Sequence, residues 1–251
     1  MSGVDGRVAL VTGAGRGIGK ATALLLAERG ARVMAVSRTA SELEAVGLDH
    51  IVADLGDADD CRRVAEQTAA RLGPIEVFVC NHGIGSADER VVWEQDPAIW
   101  AETMRINLDG PFHLSRHVVG SMVQAGYGRC VYVSSTAGQL AEPASSAYVA
   151  SKHGLIGLMR SVAQDAGVHG VTANAVLPGW VRTEMAERSA AEEGRRRGMS
   201  VEDVGAERAA LYPPKRVVTP GEVADAIAFL ASEESGGISG EAVTVALGSP
   251  W

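Results

Sequence analysis

The chain has 251 residues, 46% of them apolar and 22% charged, with a formal net charge of −8. This length allows one large α/β domain with a sizeable core, or two small ones. An acidic chain without a sustained basic stripe does not suggest a nucleic-acid partner, and no apolar run approaches the ~18 residues of a membrane-spanning helix.

The chain opens with a strand, a glycine-rich loop and a helix. Residues 7–12 are a short apolar run, residues 13–19 read Gly-Ala-Gly-Arg-Gly-Ile-Gly, and residues 20–29 have helical composition, closed by Gly30. Glycines let a backbone approach a pyrophosphate closely, and a helix N-terminus presents free N–H groups and the positive end of its dipole. This order predicts a dinucleotide phosphate site, whose candidate ligands are Gly13, Gly15, Arg16, Gly17, Ile18 and Gly19.

The second predicted strand, residues 32–37, bears on the choice of cofactor. In dinucleotide folds an acidic residue at the end of this strand bonds the ribose 2′-hydroxyl. Here Ser37 and Arg38 stand at that place, with Arg16 available from the glycine loop. A hydroxyl and guanidinium groups suit a 2′-phosphate through charge-assisted hydrogen bonds. The pattern predicts NADP(H) in preference to NAD(H), unless Arg38 is an ordinary solvated residue.

Strands and helices alternate along the rest of the chain. Further strands are predicted at residues 50–53, 75–80, 129–134, 171–177 and 241–246, and helices at 57–72, 96–124 and 219–231, with one more that carries Tyr148 and ends near Gly170. Gly110-Pro111 interrupts the long helix, where a proline forces a kink.

This alternation predicts an α/β fold with a doubly wound parallel sheet of seven strands and helices on both faces. Residues 180–215 differ from the rest because they are charged and form only short helical stretches. They read as a small substrate lid, an excursion from the sheet. We expect residues 1–251 to form a single domain that combines dinucleotide binding and catalysis.

Tyr148 and Lys152 lie four residues apart, which puts both side chains on one face of a helix, one turn apart. A cation beside a phenol favours the phenolate, so the pKa of Tyr148 is expected to fall from ~10 toward working pH. Such a group gives and takes a proton near neutrality, and Ser135 offers a hydroxyl to the same substrate oxygen. Taken alone, Tyr-x-x-x-Lys also occurs by chance on helix surfaces.

A set of motifs follows in a fixed order along the chain: Thr-Gly-x-x-x-Gly-x-Gly at residues 12–19, Asp54-Leu55, Asn107, Ser135, Tyr148-x-x-x-Lys152, and Pro-Gly-Trp-Val-Arg-Thr at residues 178–183. With these motifs, the chain resembles the short-chain dehydrogenase/reductase family in its single-domain form. The resemblance implies a Rossmann-like fold, a nicotinamide cofactor and no metal. Residues 151–154 and 213–224 are similar to those of 3-oxoacyl reductases and polyketide ketoreductases.

The resemblance also implies roles for single residues. Tyr148 would protonate the substrate oxygen during reduction, Lys152 would lower the pKa of Tyr148 and bind the nicotinamide ribose, and Ser135 would orient the carbonyl. Asn107 would hold a water that joins Lys152 to solvent. Further cofactor contacts are implied for Asp54, Leu55, Asn81, Gly83, Pro178, Gly179, Val181 and Thr183, the last two at the carboxamide.

Three departures from the family pattern leave alternatives open. His82 stands where alanine is usual, as a loop variation or as part of a proton relay. Trp180 lies beside the expected nicotinamide site, as a pocket wall or as core filler. Residues 246–248 replace a usual Asp-Gly-Gly, which leaves the packing of the C-terminus open.

The leading interpretation is an NADP(H)-dependent oxidoreductase that reduces a ketone, or oxidises the secondary alcohol, with a 3-oxoacyl compound as one candidate substrate. Residues 86–93, 138–145 and 180–212 are predicted to form the pocket. Residues 195–197, three arginines, would receive an anionic carrier or form a solvated helix face. The alternatives are an NAD(H)-dependent alcohol dehydrogenase and a dinucleotide-sensing regulator, a class that typically loses part of the Asn-Ser-Tyr-Lys set that is intact here.

The three cysteines, Cys61, Cys80 and Cys130, are scattered and lack metal-ligand spacing, which favours a reducing cytoplasm. The first residues show no signal-peptide pattern. The family resemblance implies a homotetramer, or a homodimer, in which the helices around Asn107 and Tyr148 bury apolar faces against a partner.

Overall fold

The computed structural model describes residues 3–86 and 90–249. Its strands, each within two residues of the predicted bounds, are β1 (Val8–Thr12), β2 (Arg32–Ser37), β3 (Asp49–Val52), β4 (Val77–Cys80), β5 (Gly128–Val133), β6 (Val171–Pro178) and β7 (Ala242–Val245). They form one sheet in the order β3-β2-β1-β4-β5-β6-β7, with every pair parallel. The prediction of a seven-stranded parallel sheet is confirmed.

The helices that surround the sheet are α1 (Gly17–Glu28), α2 (Ala40–Val46), α3 (Ala58–Leu72), α4 (Pro97–Met104), α5 (Gly110–Ala125), α6 (Ser146–Ala166), α7 (Glu184–Arg197), α8 (Val201–Ala210) and α9 (Pro220–Leu230). Helices α1 and α9 pack together in one core, while α3, α5 and α6 contribute to a second core. The strand β1 shows why both cores form: Leu10 belongs to the second core, and its neighbours Ala9 and Val11 belong to the first. Successive residues of a strand point to opposite faces, so a strand buried on both sides is apolar throughout.

Capping side chains fix where several helices begin. The carboxylate of Asp96 accepts from the backbone N–H of Ala98, and Pro97 stands in the first turn of α4, where its missing N–H costs nothing. Thr219 and Glu222 form the predicted capping box of α9.

The chain reverses its direction of travel across the sheet between β1 and β4. From β1 the chain runs outward to β2 and β3, and from β4 it runs the other way to β7. The carboxyl ends of β1 and β4 therefore face a crevice with no crossover above it, the usual ligand site of such folds.

Three features of the helices differ from the prediction. Helix α1 begins at Gly17, so the end of the glycine loop is already helical. Helix α2 was not predicted, since seven residues are too few to show a period, although Gly47 in the left-handed region at φ 76° ends it. The break in the long helix is a π-helical turn, Arg105–Asp109, and Pro111 lies in the first turn of α5.

Within the described residues, no helix is both long and apolar enough to cross a membrane. The same part of the chain holds no group of three or more histidine, cysteine or carboxylate side chains suited to a metal ion. Cys61, Cys80 and Cys130 are free and buried, and burial raises the pKa of each thiol.

Candidate active site

The glycine loop presents bare backbone to the crevice between β1 and β4. A Cβ atom on Gly19 would lie 2.1 Å from the carbonyl oxygen of Gly13, so no side chain fits there. Gly17 adopts φ 54°, in the region that favours glycine, and a Cβ on it would lie 3.3 Å from Thr183. The N-terminus of α1 begins at this point, so its free N–H groups lie beside the loop for which the sequence predicts a pyrophosphate site.

One threonine hydroxyl ties the ends of β1 and β4 together. The Oγ1 of Thr12 accepts from the backbone N–H groups of Asn81 (2.9 Å) and His82 (3.1 Å) and donates to the carbonyl of Val79 (3.2 Å). The side-chain amide of Asn81 donates to the carbonyls of Thr12 (3.0 Å) and Gly13 (3.3 Å). The backbone around the crevice is thus fixed before any ligand arrives.

The adenosine end of the crevice is exposed and charged. Ser37 ends β2 and is half-buried, and the following Arg38 is exposed. Arg16 lies 3.4 Å from carboxylate oxygens of both Glu42 and Glu184. A Cβ on Gly15 would meet Glu42 at 2.7 Å and Ser37 at 3.0 Å, so Glu42 stands beside the place predicted for the 2′-phosphate.

Asp54 and Leu55, the pair after β3 that was predicted to contact adenine, make different contacts in the structure. Asp54 is held by the guanidinium of Arg105 (3.2 Å) and accepts from the backbone N–H of Gly56 (3.1 Å). Leu55 is buried in the core. Asp54 is therefore partly exposed just after β3, whereas the side chain of Leu55 packs in the core.

Ser135, Tyr148 and Lys152 converge beyond the carboxyl end of β5. The Ser135 hydroxyl accepts from the N–H of Ala137 (3.1 Å), which orients it, and it forms a hydrogen bond with the Tyr148 phenol. Tyr148 and Lys152 share one face of α6, and the ammonium lies 5.7 Å from the centre of the Tyr148 ring. The ammonium donates to the carbonyl of Val133 (3.1 Å), so the end of β5 holds it in place.

The ionisation of this group differs from the prediction. Burial raises the pKa of Tyr148 to about 12 even though part of the residue stays exposed; its bond with Ser135 lowers the pKa and the charge of Glu142 raises it. Burial also lowers the pKa of Lys152 to about 8. The prediction that the Tyr148 pKa falls toward neutrality is wrong for this structure, because burial disfavours the charged phenolate more than the contact with Ser135 favours it.

Asn107 sits in the π-helical turn and is fully buried. Its Oδ1 accepts from the N–H of Ile84 (2.8 Å), and its Nδ2 donates to the carbonyl of Ile84 (2.9 Å) and to the hydroxyl of Ser151 (3.2 Å). A Cβ on Gly83 would meet Asn107 at 3.1 Å and the Lys152 nitrogen at 3.5 Å. Asn107 therefore fixes the loop after β4 directly beside Lys152.

The segment after β6 joins the crevice to the lid. Pro178 is the last residue of β6, the Gly179 N–H donates to the carbonyl of Val245 (3.1 Å), and Val181 pairs with Val218. Thr183 accepts from the N–H of Ala186 (3.3 Å) and so caps α7. The predicted carboxamide contacts thus lie at the joint between sheet and lid.

Helices α7 and α8, which belong to the predicted lid, pack against each other. The guanidinium of Arg208 stacks 3.6 Å above the Trp180 ring and pairs with Glu193 at 2.8 Å. The hydroxyl of buried Tyr212 accepts from the N–H of Trp180 (2.6 Å). Trp180 is therefore held on two sides by the lid, contacts that single-sequence patterns could not reveal because they join distant residues. The sequence also left open an anion site at the three arginines of residues 195–197. In the structure, Arg197 is already paired with Glu193 and Glu207.

His82 lies under the crevice. Its Nδ1 is 2.9 Å from the Thr12 hydroxyl and 3.9 Å from the Cys80 sulfur, and its Nε2 is buried without a partner among the described residues. Burial and the charge of Lys152 lower its pKa to about 3. The imidazole is therefore neutral at working pH, which favours the interpretation as a loop variation.

A cleft of about 870 Å³ lies on the outer side of α6, and its described lining includes none of Ser135, Tyr148 and Lys152. The predicted segments 86–93 and 138–145 supply part of its lining, though residues 87–89 lie outside the described chain. Residues of α4 and α6 supply the rest, notably Trp100 and Val149, and the sequence did not predict them as lining residues. The lid contributes none of the described lining of this cleft. Because the cleft holds none of the predicted catalytic side chains, the prediction that residues 180–212 help to form the substrate pocket stays a prediction.

Comparison with known proteins agrees with this geometry. The family model described as enoyl-(acyl carrier protein) reductase matches residues 13–249. The 3-oxoacyl-[acyl-carrier-protein] reductase FabG of Escherichia coli is 33% identical, with 96% of each chain covered. The cis-4-hydroxycyclohexanecarboxylate dehydrogenase of Sinomonas cyclohexanicum is 36% identical, over 95% of this chain and 94% of that protein. The crystal structure of levodione reductase superposes with a TM-score of 0.93 at 30% identity, with 97% of each chain covered.

A seven-stranded Rossmann-like sheet, an intact glycine loop and relatives that match almost end to end define a class of enzyme. The chain belongs to the short-chain dehydrogenase/reductase family. It is an NAD(P)-dependent oxidoreductase that acts on CH–OH groups and the corresponding ketones, and it has similarity to 3-oxoacyl reductases.

Proposed function

We propose that this enzyme reduces a ketone, or oxidises the corresponding secondary alcohol, with NADP(H) and with Tyr148 as the acid–base residue. The observation that carries this proposal is the convergence of Ser135, Tyr148 and Lys152 at the carboxyl end of β5. A hydroxyl that is already oriented and a phenol bonded to it form a ready binding place for one carbonyl oxygen.

Each residue has a distinct task in this proposal. Ser135 orients the carbonyl oxygen, Tyr148 gives it a proton during reduction, and Lys152 binds ribose hydroxyls and keeps a positive charge beside the phenol. Asn107 maintains the loop after β4 and holds the water through which Lys152 regains a proton. When bound, the nicotinamide ring supplies or accepts the hydride.

The pKa of Tyr148 predicts how the rates of reduction and oxidation depend on pH. A phenol with a pKa of about 12 stays protonated at neutral pH and is ready to donate a proton. Oxidation of the alcohol needs the phenolate instead, whose population grows about tenfold per pH unit below that pKa. We expect the rate of reduction to change little from about pH 6 to 8, while the rate of oxidation rises with pH, as pH profiles of both directions would reveal.

The preference for NADP(H) rests on three side chains. Ser37, Arg38 and Arg16 stand where the adenosine ribose is expected, and Arg38 is exposed with no ion pair to any described residue. Glu42 in their midst would repel a 2′-phosphate. We propose that the two guanidinium groups outweigh this single carboxylate. An NAD(H)-dependent alcohol dehydrogenase is the alternative if they do not.

Substrate candidates come from the relatives and from the sequence resemblance. A 3-oxoacyl compound is favoured by the similarity to FabG, and a cyclic secondary alcohol is named in the Sinomonas relative. A dinucleotide-sensing regulator without turnover is disfavoured, because Asn107, Ser135, Tyr148 and Lys152 are all present.

A panel of cyclic ketones and 3-oxoacyl thioesters with NADPH, followed by absorbance of the nicotinamide, tests the proposal. We expect turnover of at least one ketone, and a loss of about 10²–10⁴-fold in kcat for Tyr148→Phe with NADPH binding retained. Full activity of that variant would refute the role of Tyr148. No turnover with any ketone or alcohol would favour the sensor.

We further propose a homo-oligomer, a tetramer by family resemblance. Trp100 on α4 and Phe112 on α5 are 41% and 50% exposed and offer apolar surface to a second copy. Light scattering at micromolar concentration tests this, and a monomer would contradict it.

A further inference from the structure

Glu42 stands on α2 beside the end of β2, where the adenosine ribose is expected. It lies in the first turn of the helix, where the positive end of the helix dipole stabilises a carboxylate. The side chain of Leu43, next to it, is buried in the core. The helix is therefore anchored to the sheet, and this anchoring fixes where Glu42 stands.

The glycine loop lies directly against this carboxylate. The backbone N–H of Ala14 donates to the carbonyl of Val36 (3.0 Å), which holds the loop beside the end of β2. A Cβ atom on Gly15 would lie 2.7 Å from the Oε2 of Glu42 and 3.0 Å from the Oγ of Ser37. The same point of the loop therefore faces both the carboxylate and the hydroxyl at the end of β2.

The one described ion pair of Glu42 uses its other oxygen. The Nη1 of Arg16 lies 3.4 Å from the Oε1 of Glu42, and it lies 3.4 Å from the Oε2 of Glu184 as well. The side chain of Glu42 is 30% exposed and that of Arg16 is 39% exposed. An ion pair this long and this accessible is weak, so a ligand can replace either partner.

We infer that Glu42 is a specificity-determining residue for the cofactor, an inference that rests on the dinucleotide site proposed above. Its carboxylate accepts a hydrogen bond from the ribose 2′-hydroxyl of NAD(H), in place of the acid that is absent from the end of β2. The same carboxylate opposes the 2′-phosphate of NADP(H). Glu42 therefore lets the protein bind both dinucleotides and reduces the preference that Arg38 and Arg16 create.

The chemistry of the two cofactors explains this double effect. They differ at the 2′ position, where a hydroxyl can donate a hydrogen bond and a phosphate is negatively charged. An ionised carboxylate accepts hydrogen bonds and cannot donate them, so it matches the hydroxyl. Beside a phosphate it adds a like charge and competes for the guanidinium of Arg16.

Fluorescence titration of NADH and NADPH with wild type and with Glu42→Gln tests the inference. Glutamine keeps the shape of the side chain and removes its charge. We expect the Kd of NADPH to fall about fivefold because the repulsion is lost. The Kd of NADH should rise about threefold because a charge-assisted hydrogen bond becomes a neutral one. The change for NADPH should shrink at high salt, whereas the change for NADH should persist.

Three further variants separate the hydrogen bond from the charge. Glu42→Asp keeps the charge but has a shorter reach, so it should raise the Kd of NADH and change that of NADPH less than about twofold. Glu44→Gln removes the same charge from an exposed position of the same helix, and both Kd values should change less than about twofold. Glu184→Gln releases Arg16 while Glu42 stays, so the Kd of NADH should not change.

An unchanged ratio of the two Kd values in Glu42→Gln would overturn the inference, as would an equal shift in Glu44→Gln. The titration requires no turnover, so its result is independent of the proposed reaction. If the wild type binds NADH as tightly as NADPH, the proposed cofactor preference fails, but a shift toward NADPH in Glu42→Gln still supports the role of Glu42. If the ratio does not shift, that role is refuted even where the wild type prefers NADPH. Failure to bind either dinucleotide would refute both.

Discussion

The two ends of the cofactor crevice are built by different physical means. At the catalytic end, Asn107 and Lys152 are buried and bonded to backbone atoms of a strand end and a loop. At the adenosine end, Arg38 and Arg16 are exposed or half-exposed, and the Arg16 pairs are 3.4 Å long. Buried hydrogen bonds are strong because their loss leaves polar groups unsatisfied, whereas exposed ion pairs are weak and screened by salt. The catalytic end thus fixes geometry, and the adenosine end supplies charge.

The largest effect is expected at Asn107. Asn107→Ala leaves the backbone groups of Ile84 without partners, so we expect a loss of about 3 kcal/mol in the free energy of unfolding and a fall in kcat of about 100-fold or more. Asn174 is a matched control, since it is equally buried and bonds the backbone of Ile238 and Glu241 far from the crevice. Denaturant unfolding and steady-state kinetics should find similar destabilisation but a catalytic loss only at Asn107. Equal losses of kcat in the Asn107 and Asn174 variants would contradict a specific role of Asn107 at the catalytic end.

A smaller effect is expected at Arg38. Arg38→Ala should raise the Kd of NADPH about tenfold, because one charge-assisted hydrogen bond is lost, and should leave the Kd of NADH nearly unchanged. The difference should shrink at high salt. Arg32→Ala, at the opposite end of β2, is the control. Fluorescence titration that finds NADH bound as tightly as NADPH by the wild type would overturn the cofactor preference.

The stability of the folded protein should decrease in acid because of the buried His82. The pKa of His82 is about 3 in the folded protein, below the 6.5 of the free side chain, so the unfolded chain takes up a proton first as the pH falls. Stability is then lost from pH 6.5 downward toward 3, by at most about 1.4 kcal/mol per pH unit from this group. His82→Asn should flatten the fall that chemical denaturation measures between pH 6 and 5, and His153→Asn, at an exposed position, should not. If the free energy of unfolding falls with pH as steeply in His82→Asn as in the wild type, the low pKa of His82 is contradicted.

The smallest effect is expected at the exposed pair of Arg16 and Glu184. Glu184→Gln should change the free energy of unfolding by less than about 0.5 kcal/mol. Repeating the measurement in high salt should abolish even that difference. A loss above 1 kcal/mol would mean that this pair is as structural as the contacts of Asn107.

Much of the fold could be predicted because local patterns determine it. Strands buried on both faces are apolar throughout, and the capping residues Asp96 and Thr219 mark helix starts. The spacing of Tyr148 and Lys152 correctly placed both on one face of α6. The direction of the Tyr148 pKa could not be predicted, because it depends on how deeply distant segments bury the phenol.

Other parts of the site depend on tertiary contacts that no short pattern contains. Glu42 reaches Gly15 only because α2 folds back beside β2. Arg208 stacks on Trp180 from 28 positions along the chain. Asn107 meets Ile84 only because the π-helical turn lies beside the loop after β4.

The π-helical turn Arg105–Asp109 has a consequence for how the chain tolerates change in length. A π turn holds one residue more than an α turn, and each residue of an α-helix advances the side chains by about 100° around the axis. Deleting one residue there would yield a regular helix but rotate all of α5 by that angle. Leu114 and Val118, now fully buried, would leave the core, and Asn107 would lose its place beside Ile84. The extra residue determines how far the core-facing side of α5 is rotated about the helix axis relative to Asn107. We therefore expect this segment to accept substitutions far more readily than deletions.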